Sequence, residues 1–215
     1  MMNNIVIFGA SGLGKEVLQL LKLINKENNI WNILGFIDDN KNLKNKNING
    51  YAVLGGVEYF ETISSCSVVV AIANPDLKKV LVDKINNFNK GHQFPNVIHP
   101  NVDTNFKYIQ LGIGNLITEG CILTCNIEIG NFNIFNTRTT IGHDVFIEDY
   151  NIINPNVQIS GNITIGSYNF IAVNSVILQG IKIGNKNHIG ACSLVIRNLK
   201  NDMRVFGIPA QNFKF

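Results

Sequence analysis

The chain has 215 residues, of which 46% are hydrophobic and 15% charged, with a formal net charge of +3. This composition supplies enough apolar material for a substantial core, and the nearly neutral charge argues against nucleic acid as a partner. No apolar run approaches the length of a membrane-spanning helix and no signal peptide is visible, so we expect no membrane association. The four cysteines form no CxxC pair, which predicts reduced thiols in a cytoplasmic protein.

The first predicted elements are a short apolar strand at residues 4–8, a glycine-rich turn at 9–14 and a helix that starts at Lys15. A strand, a glycine-rich turn and a helix in this order open a Rossmann-like unit, in which backbone amides at the helix start can bind a phosphate. The glycine spacing is GxxGxG rather than the dinucleotide pattern GxGxxG, and a tight turn without a ligand is the alternative. The residues predicted to contact the phosphates are Ser11, Gly12 and Leu13.

A second apolar run, at residues 33–37, ends in Asp38 and Asp39. Carboxylates at the end of the second strand of such a unit commonly accept hydrogen bonds from a ribose or a base, whereas a solvated turn is the competing interpretation. A continuous apolar strand follows at residues 67–73, and a helix is predicted from about Leu77 to Phe88. These elements predict an α/β Rossmann-like domain over residues 1–95.

In the second half of the chain, an apolar residue occurs at every sixth position without interruption. Neither a helix nor a single strand produces this period. This period is typical of a hexapeptide-repeat parallel β-helix, in which three hexads form one coil of 18 residues. Fifteen hexads predict five coils stacked about 4.8 Å apart over residues 96–215. The predicted interior residues are Leu111, Ile117, Leu123, Ile129, Phe135, Ile141, Ile147, Ile153, Ile159, Ile165, Ile171, Ile177, Ile183, Ile189 and Val195.

Two further features of the hexads concern the corners of the coil. Glycine often takes the second place, and a small, Asn or β-branched residue takes the fifth. We interpret glycine and asparagine as corner residues, because both tolerate left-handed backbone angles. After Val195 the repeat ends, and we expect the tail at 205–210 to cover the open strand edge.

Four motifs in this order carry a family resemblance: GASGLGKEV near the start, FIDD, IGHD within the hexads and GIPA near the end. Together they resemble the sugar acetyltransferases that modify nucleotide-linked amino sugars, and sialic acid O-acetyltransferases share the layout. The resemblance covers essentially the whole chain. It implies a left-handed coil, acetyl-CoA as co-substrate and a homotrimer that binds acetyl-CoA in grooves between adjacent columns.

Acetyl transfer to an amine requires a group that removes a proton near pH 7, and histidine is the natural choice. Ile141 and Ile147 fill the interior on either side of His143, so its imidazole should point outward, and Asp144 would orient the ring. The resemblance implies a histidine general base followed by an acidic residue at this point, although a lone corner histidine is more often structural. The remaining histidines are predicted to be structural: His92, His99 and His188.

The acetyl-CoA site is predicted from spacing and from the resemblance together. Gly161 follows His143 by one coil, so its missing side chain leaves room beside the base. Later coils carry small residues at places that the family uses along the pantetheine arm, although plain corner geometry explains such residues equally well. The residues predicted to bind acetyl-CoA are Gly161, Val173, Gly190 and Ala191. The chain differs from common family residues at Leu13, Ala73 and Ile152.

Three classes of function follow. The first is N-acetyl transfer to a UDP- or dTDP-linked 4-amino-4,6-dideoxy sugar. A cysteine could form an acyl-enzyme, but the resemblance implies direct attack on the thioester without one. The second is O-acetyl transfer to sialic acid or a related sugar, and the third is a zinc carbonic anhydrase or a structural module. The glycine-rich turn with Asp38 and Asp39 favours a nucleotide carrier. Three convergent histidines are missing from the pattern, so we expect no metal.

Overall fold

The computed structural model describes residues 2–213 and divides into two compact units, one up to Val97 and one from Ile98 onward. The sequence placed the division near residue 95. The two units differ in architecture: the first alternates strands and helices, whereas the second consists almost wholly of short parallel strands.

The N-terminal unit is a five-stranded sheet with the order β3-β4-β2-β1-β5, parallel except for the β3–β4 hairpin. Its strands are β1 (Asn3–Phe8), β2 (Trp31–Ile37), β3 (Asn47–Ile48), β4 (Tyr51–Gly55) and β5 (Ser67–Val70). Its helices are α1 (Gly12–Glu27), α2 (Tyr59–Thr62) and α3 (Pro75–Asn87), with a 3-10 turn at Lys41–Leu43. The side chain of Asn74 caps α3 by accepting a hydrogen bond from the amide of Leu77.

The glycine-rich turn joins β1 tightly to α1. The last four residues of β1 are buried, and α1 presents Val17, Leu18 and Leu21 to the core. A Cβ atom on Gly14 would lie 1.9 Å from the carbonyl oxygen of Gly9, so only glycine allows this approach. The glycine at this position is therefore explained by packing of the helix on the strand.

The C-terminal unit is a parallel β-helix with three faces, each a ladder of short strands. The first face contains Ile109–Leu111, Ile127–Ile129, Val145–Ile147, Thr164–Ile165 and Lys182–Ile183. The second contains Val97–Ile98, Leu116–Ile117, Ile134–Phe135, Ile152–Ile153, Phe170–Ile171, His188–Ile189, Arg204–Phe206 and Gln211–Asn212. The third contains Ile122–Leu123, Thr140–Ile141, Gln158–Ile159, Val176–Ile177 and Leu194–Val195.

The period of six places apolar side chains inside the column, as predicted. Every residue of the fifteen-membered series is buried except Leu111, which is half-buried in the first coil. Paired residues are 18 positions apart, so Ile129 lies beside Ile147, which in turn lies beside Ile165. Five strands on the first and third faces confirm the predicted five coils.

The interpretation of the second-place glycines is wrong. Left-handed angles occur at the fourth place of each hexad, from Gly114 to Cys192, and only three of these fourteen residues are glycine. The second-place glycines have no such angles; a Cβ on Gly142, for example, would lie 2.7 Å from the amide nitrogen of Gly161. At Gly142 glycine is required because the backbone of the next coil approaches closely.

A ladder of buried asparagines occupies the fifth hexad place on the corner between the first and second faces. Each one after the first uses its backbone and side-chain nitrogens to donate to the side-chain oxygen of the asparagine 18 residues earlier, at 2.8–3.2 Å. These buried amides have satisfied partners and hold the coils in register. The ladder consists of Asn115, Asn133, Asn151, Asn169 and Asn187.

Both ends of the column depart from the repeat. A 3-10 turn at Phe106–Tyr108 precedes the first complete coil. At the other end, Arg204–Phe206 pairs with His188–Ile189, and Gln211–Asn212 then adds an antiparallel strand, so the tail covers the edge as expected. Among the residues that the structure describes, no helix is long and apolar enough to cross a membrane.

Candidate active site

The imidazole of His143 lies on the corner between the third and first faces and is paired with its neighbour. Its Nδ1 atom is 2.7 Å from Oδ2 of Asp144, and its side chain is 53% exposed. Because a carboxylate only accepts hydrogen bonds, Nδ1 carries the proton and Nε2 keeps a free lone pair. The structure thus brings together the two residues predicted from IGHD and leaves one basic nitrogen available.

The Asp144 carboxylate is held from a second side. Its Oδ1 accepts a hydrogen bond from Nδ2 of Asn126 at 3.1 Å, and its backbone amide donates to the carbonyl of Cys125 at 3.1 Å. The hydrogen bond from His143, reinforced by that from Asn126, holds the pKa of the Asp144 carboxyl below its usual range. The carboxylate is therefore ionised at neutral pH and orients the ring.

Gly161 lies one coil beyond His143 and supports its ring. A Cβ atom at this position would come within 2.5 Å of Nε2, so any larger residue would displace the imidazole. The spacing of one coil predicts room beside the base. The structure gives a more specific reason for glycine, which is the contact between the ring and the backbone of the next coil.

The other residues predicted to bind acetyl-CoA lie on a different corner, between the second and third faces. Val173 is 37% exposed there, and Gly190 and Ala191 follow one coil later. Gly190 also lines an apolar cavity of about 630 Å³; the other lining residues are His188, Arg204, Val205, Phe206 and Phe213. One chain does not bring this corner to His143, because a whole face separates them.

The residues predicted to bind phosphate lie at the start of α1. Ser11 is the N-cap residue, and the space where Gly12 would carry a Cβ is open. Amides in the first turn of a helix lack intrahelical partners and attract anions. The structure brings Asp38 to this turn, where its Oδ2 accepts a hydrogen bond from the amide of Ala10 at 2.9 Å.

Asp39 points to another part of the same domain. Its Oδ1 accepts a hydrogen bond from the amide of Val57 at 2.7 Å, in the loop between β4 and α2. Neither aspartate is thus a simple solvated turn residue. Both brace backbone loops at the carboxyl end of the sheet, which is where ligands bind in sheets of this kind.

Comparisons with known proteins agree with this architecture. Residues 4–85 match the family model of the PglD N-terminal domain. The structure matches perosamine N-acetyltransferase from Caulobacter crescentus, solved as a histidine-to-asparagine variant with CoA and GDP-perosamine, with a TM-score of 0.90, 22% identity and coverage of 100% of this chain and 99% of that chain. The chain therefore shares the fold of this solved structure over its whole length.

Two further solved structures have this hexapeptide-repeat fold. The acetyltransferase domain of PglB from Neisseria gonorrhoeae, in complex with acetyl coenzyme A, matches with a TM-score of 0.88 and 21% identity, covering 99% of this chain and all of that one. WeeI from Acinetobacter baumannii matches with a TM-score of 0.85 and 27% identity over 99% and 100% of the two chains. No curated protein sequence matches the chain. The Rossmann-like domain and the left-handed β-helix are confirmed.

The other histidines of this hexapeptide-repeat protein have local partners. His92, expected in a polar linker, is instead buried; its Nδ1 accepts from the amide of Cys66 and its Nε2 donates to the carbonyl of Phe60. His99 accepts from the amide of Asn101, and His188 stacks on a phenylalanine of the preceding coil. These contacts fit the structural roles predicted for them.

The buried cysteines are poor nucleophiles. Burial raises the pKa of Cys66 and of Cys121 to about 11, so both remain protonated thiols at neutral pH. All four cysteines are free. Within residues 2–213, no group of three or more His, Cys, Asp or Glu side chains is arranged to hold a metal ion.

Proposed function

We propose that this chain transfers the acetyl group of acetyl-CoA to the amine of a nucleotide-linked 4-amino-4,6-dideoxy sugar, with His143 as general base. The observation that carries the proposal is the imidazole–carboxylate pair on an exposed corner, in which Nδ1 of His143 faces Asp144 and Nε2 is the nitrogen left to accept a proton. Asp144, kept ionised by its hydrogen bonds, stabilises the imidazolium that forms during the reaction.

The reaction is direct attack on the thioester. The neutral sugar nitrogen bonds to the thioester carbonyl carbon, and Nε2 of His143 removes a proton from that nitrogen. When the carbon–sulfur bond breaks, the electron pair leaves with sulfur, and the proton passes from Nε2 to give free CoA thiol. No cysteine takes part, in agreement with the protonated state of Cys66 and Cys121.

The nucleotide part of the acceptor is assigned to the N-terminal domain. The open position at Gly12 and the first-turn amides of α1 suit a diphosphate, and Asp38 stands beside the same turn. The proposed site also includes Ser11, Leu13 and Asp39. The nucleobase is the least constrained part, with UDP and dTDP as the sequence-based expectation. The free thiols fit a cytoplasmic setting.

A homotrimer completes the acetyl-CoA site. His143 and Gly161 occupy one edge of the third face, and Val173, Gly190 and Ala191 occupy the other edge. Six residues at about 3.3 Å each make a face roughly 20 Å wide, so one chain cannot close a groove around the thioester. Rotational symmetry brings one edge of each column against the opposite edge of the next.

A substrate screen tests the proposed activity. Thiol release from acetyl-CoA is measured with UDP-, dTDP- and GDP-linked 4-amino-4,6-dideoxy sugars and with free sialic acid, and the product is identified by mass spectrometry. We expect turnover with at least one nucleotide-linked amine and none with sialic acid. Acetylation of a sialic acid hydroxyl, with all amines inert, would favour the O-acetyltransferase alternative and overturn the proposal.

Complementation between two inactive variants tests the shared site. His143→Ala removes the base, and Ala191→Trp blocks the opposite edge; the two proteins are denatured together at equal concentration and refolded. In randomly mixed trimers, about one site in four has both edges intact, so about a quarter of wild-type turnover should return. A mixture as inactive as its components, at a confirmed trimer mass, would place the whole site within one chain.

A further inference from the structure

We infer that Asn126 is a positioning residue for His143 and acts through Asp144. This inference rests on the proposed function in one respect, that His143 is the base. Neither residue spacing within IGHD nor any local motif points to Asn126. It enters the site because it precedes Asp144 by 18 residues, which is one coil of the column.

The geometry of the corner places the two side chains in contact. Asn126 and Asp144 both have left-handed backbone angles, with φ of 54° and 56°. Their side chains therefore project from adjacent coils in the same direction. The amide Nδ2 of Asn126 then donates to Oδ1 of Asp144 at 3.1 Å, while Oδ2 accepts from His143 at 2.7 Å. The carboxylate is thus held at both oxygens.

Holding both oxygens has a consequence for the ring. An aspartate carboxylate rotates easily about its terminal bond, because that torsion is broad and two-fold. With Oδ1 held by Asn126, Oδ2 stays directed at Nδ1, and the imidazole is kept in the tautomer whose lone pair is on Nε2. Asparagine achieves this without adding a charge next to the base.

Water would replace the asparagine amide if it were removed. A cavity of about 330 Å³ lies beside it, lined by Asn126, Lys107, Tyr108, Gln110, Ile127 and Glu128. The side chain of Asp144 is 54% exposed, so water can satisfy its Oδ1. Water does not fix the direction of the carboxylate. We therefore expect a variant that lacks the Asn126 amide to fold normally. It should lose the fixed orientation of the Asp144 carboxylate and keep its stability.

The experiment uses two variants. Asn126→Gly removes the amide at a left-handed position that glycine adopts without strain, and Asn126→Asp keeps the shape but replaces the donor with an acceptor. The matched control is Asn49→Asp, which makes the same change at an exposed left-handed asparagine in the β3–β4 turn. For both Asn126 variants we expect kcat to fall about tenfold, with KM for each substrate within twofold.

A spectroscopic measurement separates positioning from structure. With ¹⁵N-labelled histidine, and His143→Gln to assign the resonances, wild-type protein should show the Nδ1–H tautomer for His143. In Asn126→Gly the two ring-nitrogen shifts should move toward each other as the Nε2–H tautomer becomes populated. Wild-type kcat together with an unchanged tautomer in both variants would overturn the inference.

This design also distinguishes the inference from the proposed function. If wild-type protein acetylates none of the acceptors, the proposed function fails, but the ring-nitrogen shifts still report whether Asn126 controls the imidazole. A loss of kcat without a tautomer change, accompanied by a lower melting temperature, would assign Asn126 a structural role and overturn the inference.

Discussion

The two domains place their candidate functional carboxylates in different kinds of surroundings. In the N-terminal domain, Asp38 and Asp39 accept hydrogen bonds from backbone amides and brace loops. On the β-helix, Asp144 accepts from two side chains, one of which is an exposed imidazole. A repetitive column makes this possible, because its stability comes from inward residues and backbone ladders, and its corner side chains remain available for chemistry.

The first effect that would sharpen this comparison is a large loss of activity expected at Gly161. A Cβ there would lie 2.5 Å from Nε2 of His143, so Gly161→Ala should displace the ring and lower kcat/KM about 100-fold without unfolding the column. Gly55→Ala is the control, since its added Cβ would meet Tyr59 at an ordinary 3.6 Å. Activity within threefold of wild type for Gly161→Ala would show that the ring position is not critical.

The second effect concerns the stability of the column. Replacing Asn151 by Leu removes the acceptor for the amide groups of Asn169 and the donor to Asn133 in a fully buried ladder. We expect the free energy of unfolding of the β-helix to fall by about 4 kcal/mol, measured by urea denaturation. Gln158→Ala, on an exposed strand position, should change it by less than about 1 kcal/mol. A similar small loss for Asn151→Leu would contradict the importance of the ladder.

The third effect uses two glycines of the N-terminal turn. Gly14→Ala should destabilise that domain by about 3 kcal/mol, because the new methyl group would collide with the carbonyl of Gly9. Gly12→Ala places a methyl group in open space and should leave the free energy of unfolding within about 0.5 kcal/mol of wild type. Equal losses from the two substitutions, measured by thermal unfolding, would contradict the packing explanation.

The smallest expected effect is a pH dependence that arises from Lys78. Complete burial lowers the pKa of Lys78 to about 7 in the folded protein, against 10.5 for an unperturbed lysine. Between these values the unfolded chain binds one more proton, so the free energy of unfolding rises with pH. We expect a rise of about 2 kcal/mol from pH 7 to 9 that is absent from Lys78→Met, measured by urea titration at each pH. Parallel pH profiles for the two proteins would contradict it.

The sequence predicts the column better than its site, for a physical reason. A period of six is repeated fifteen times, so the inward direction of residues such as Ile147 and Ile165 follows from the pattern alone. His143 and Asp144 are adjacent, and their pairing could also be anticipated. Asn126 contacts Asp144 because the two residues are one coil apart. This contact can be predicted only when the 18-residue spacing is applied to corner side chains as well as to interior ones.

Glycine shows where pattern reading fails. The same residue type serves close approach in Gly14 and Gly142, a ring contact in Gly161 and a left-handed angle in Gly114. A sequence records only that a side chain is missing. The reason depends on which atom lies where the Cβ would be, and that atom comes from a distant part of the chain or from the next coil.

The most direct test of the account is the turnover number of His143→Ala with acetyl-CoA and the best nucleotide-linked amino sugar. If Nε2 of His143 removes the proton from the attacking amine, kcat should fall by about 10³, while KM for acetyl-CoA stays within threefold. Retention of turnover within tenfold of wild type, in a correctly folded protein, would show that another group is the base and would contradict the account.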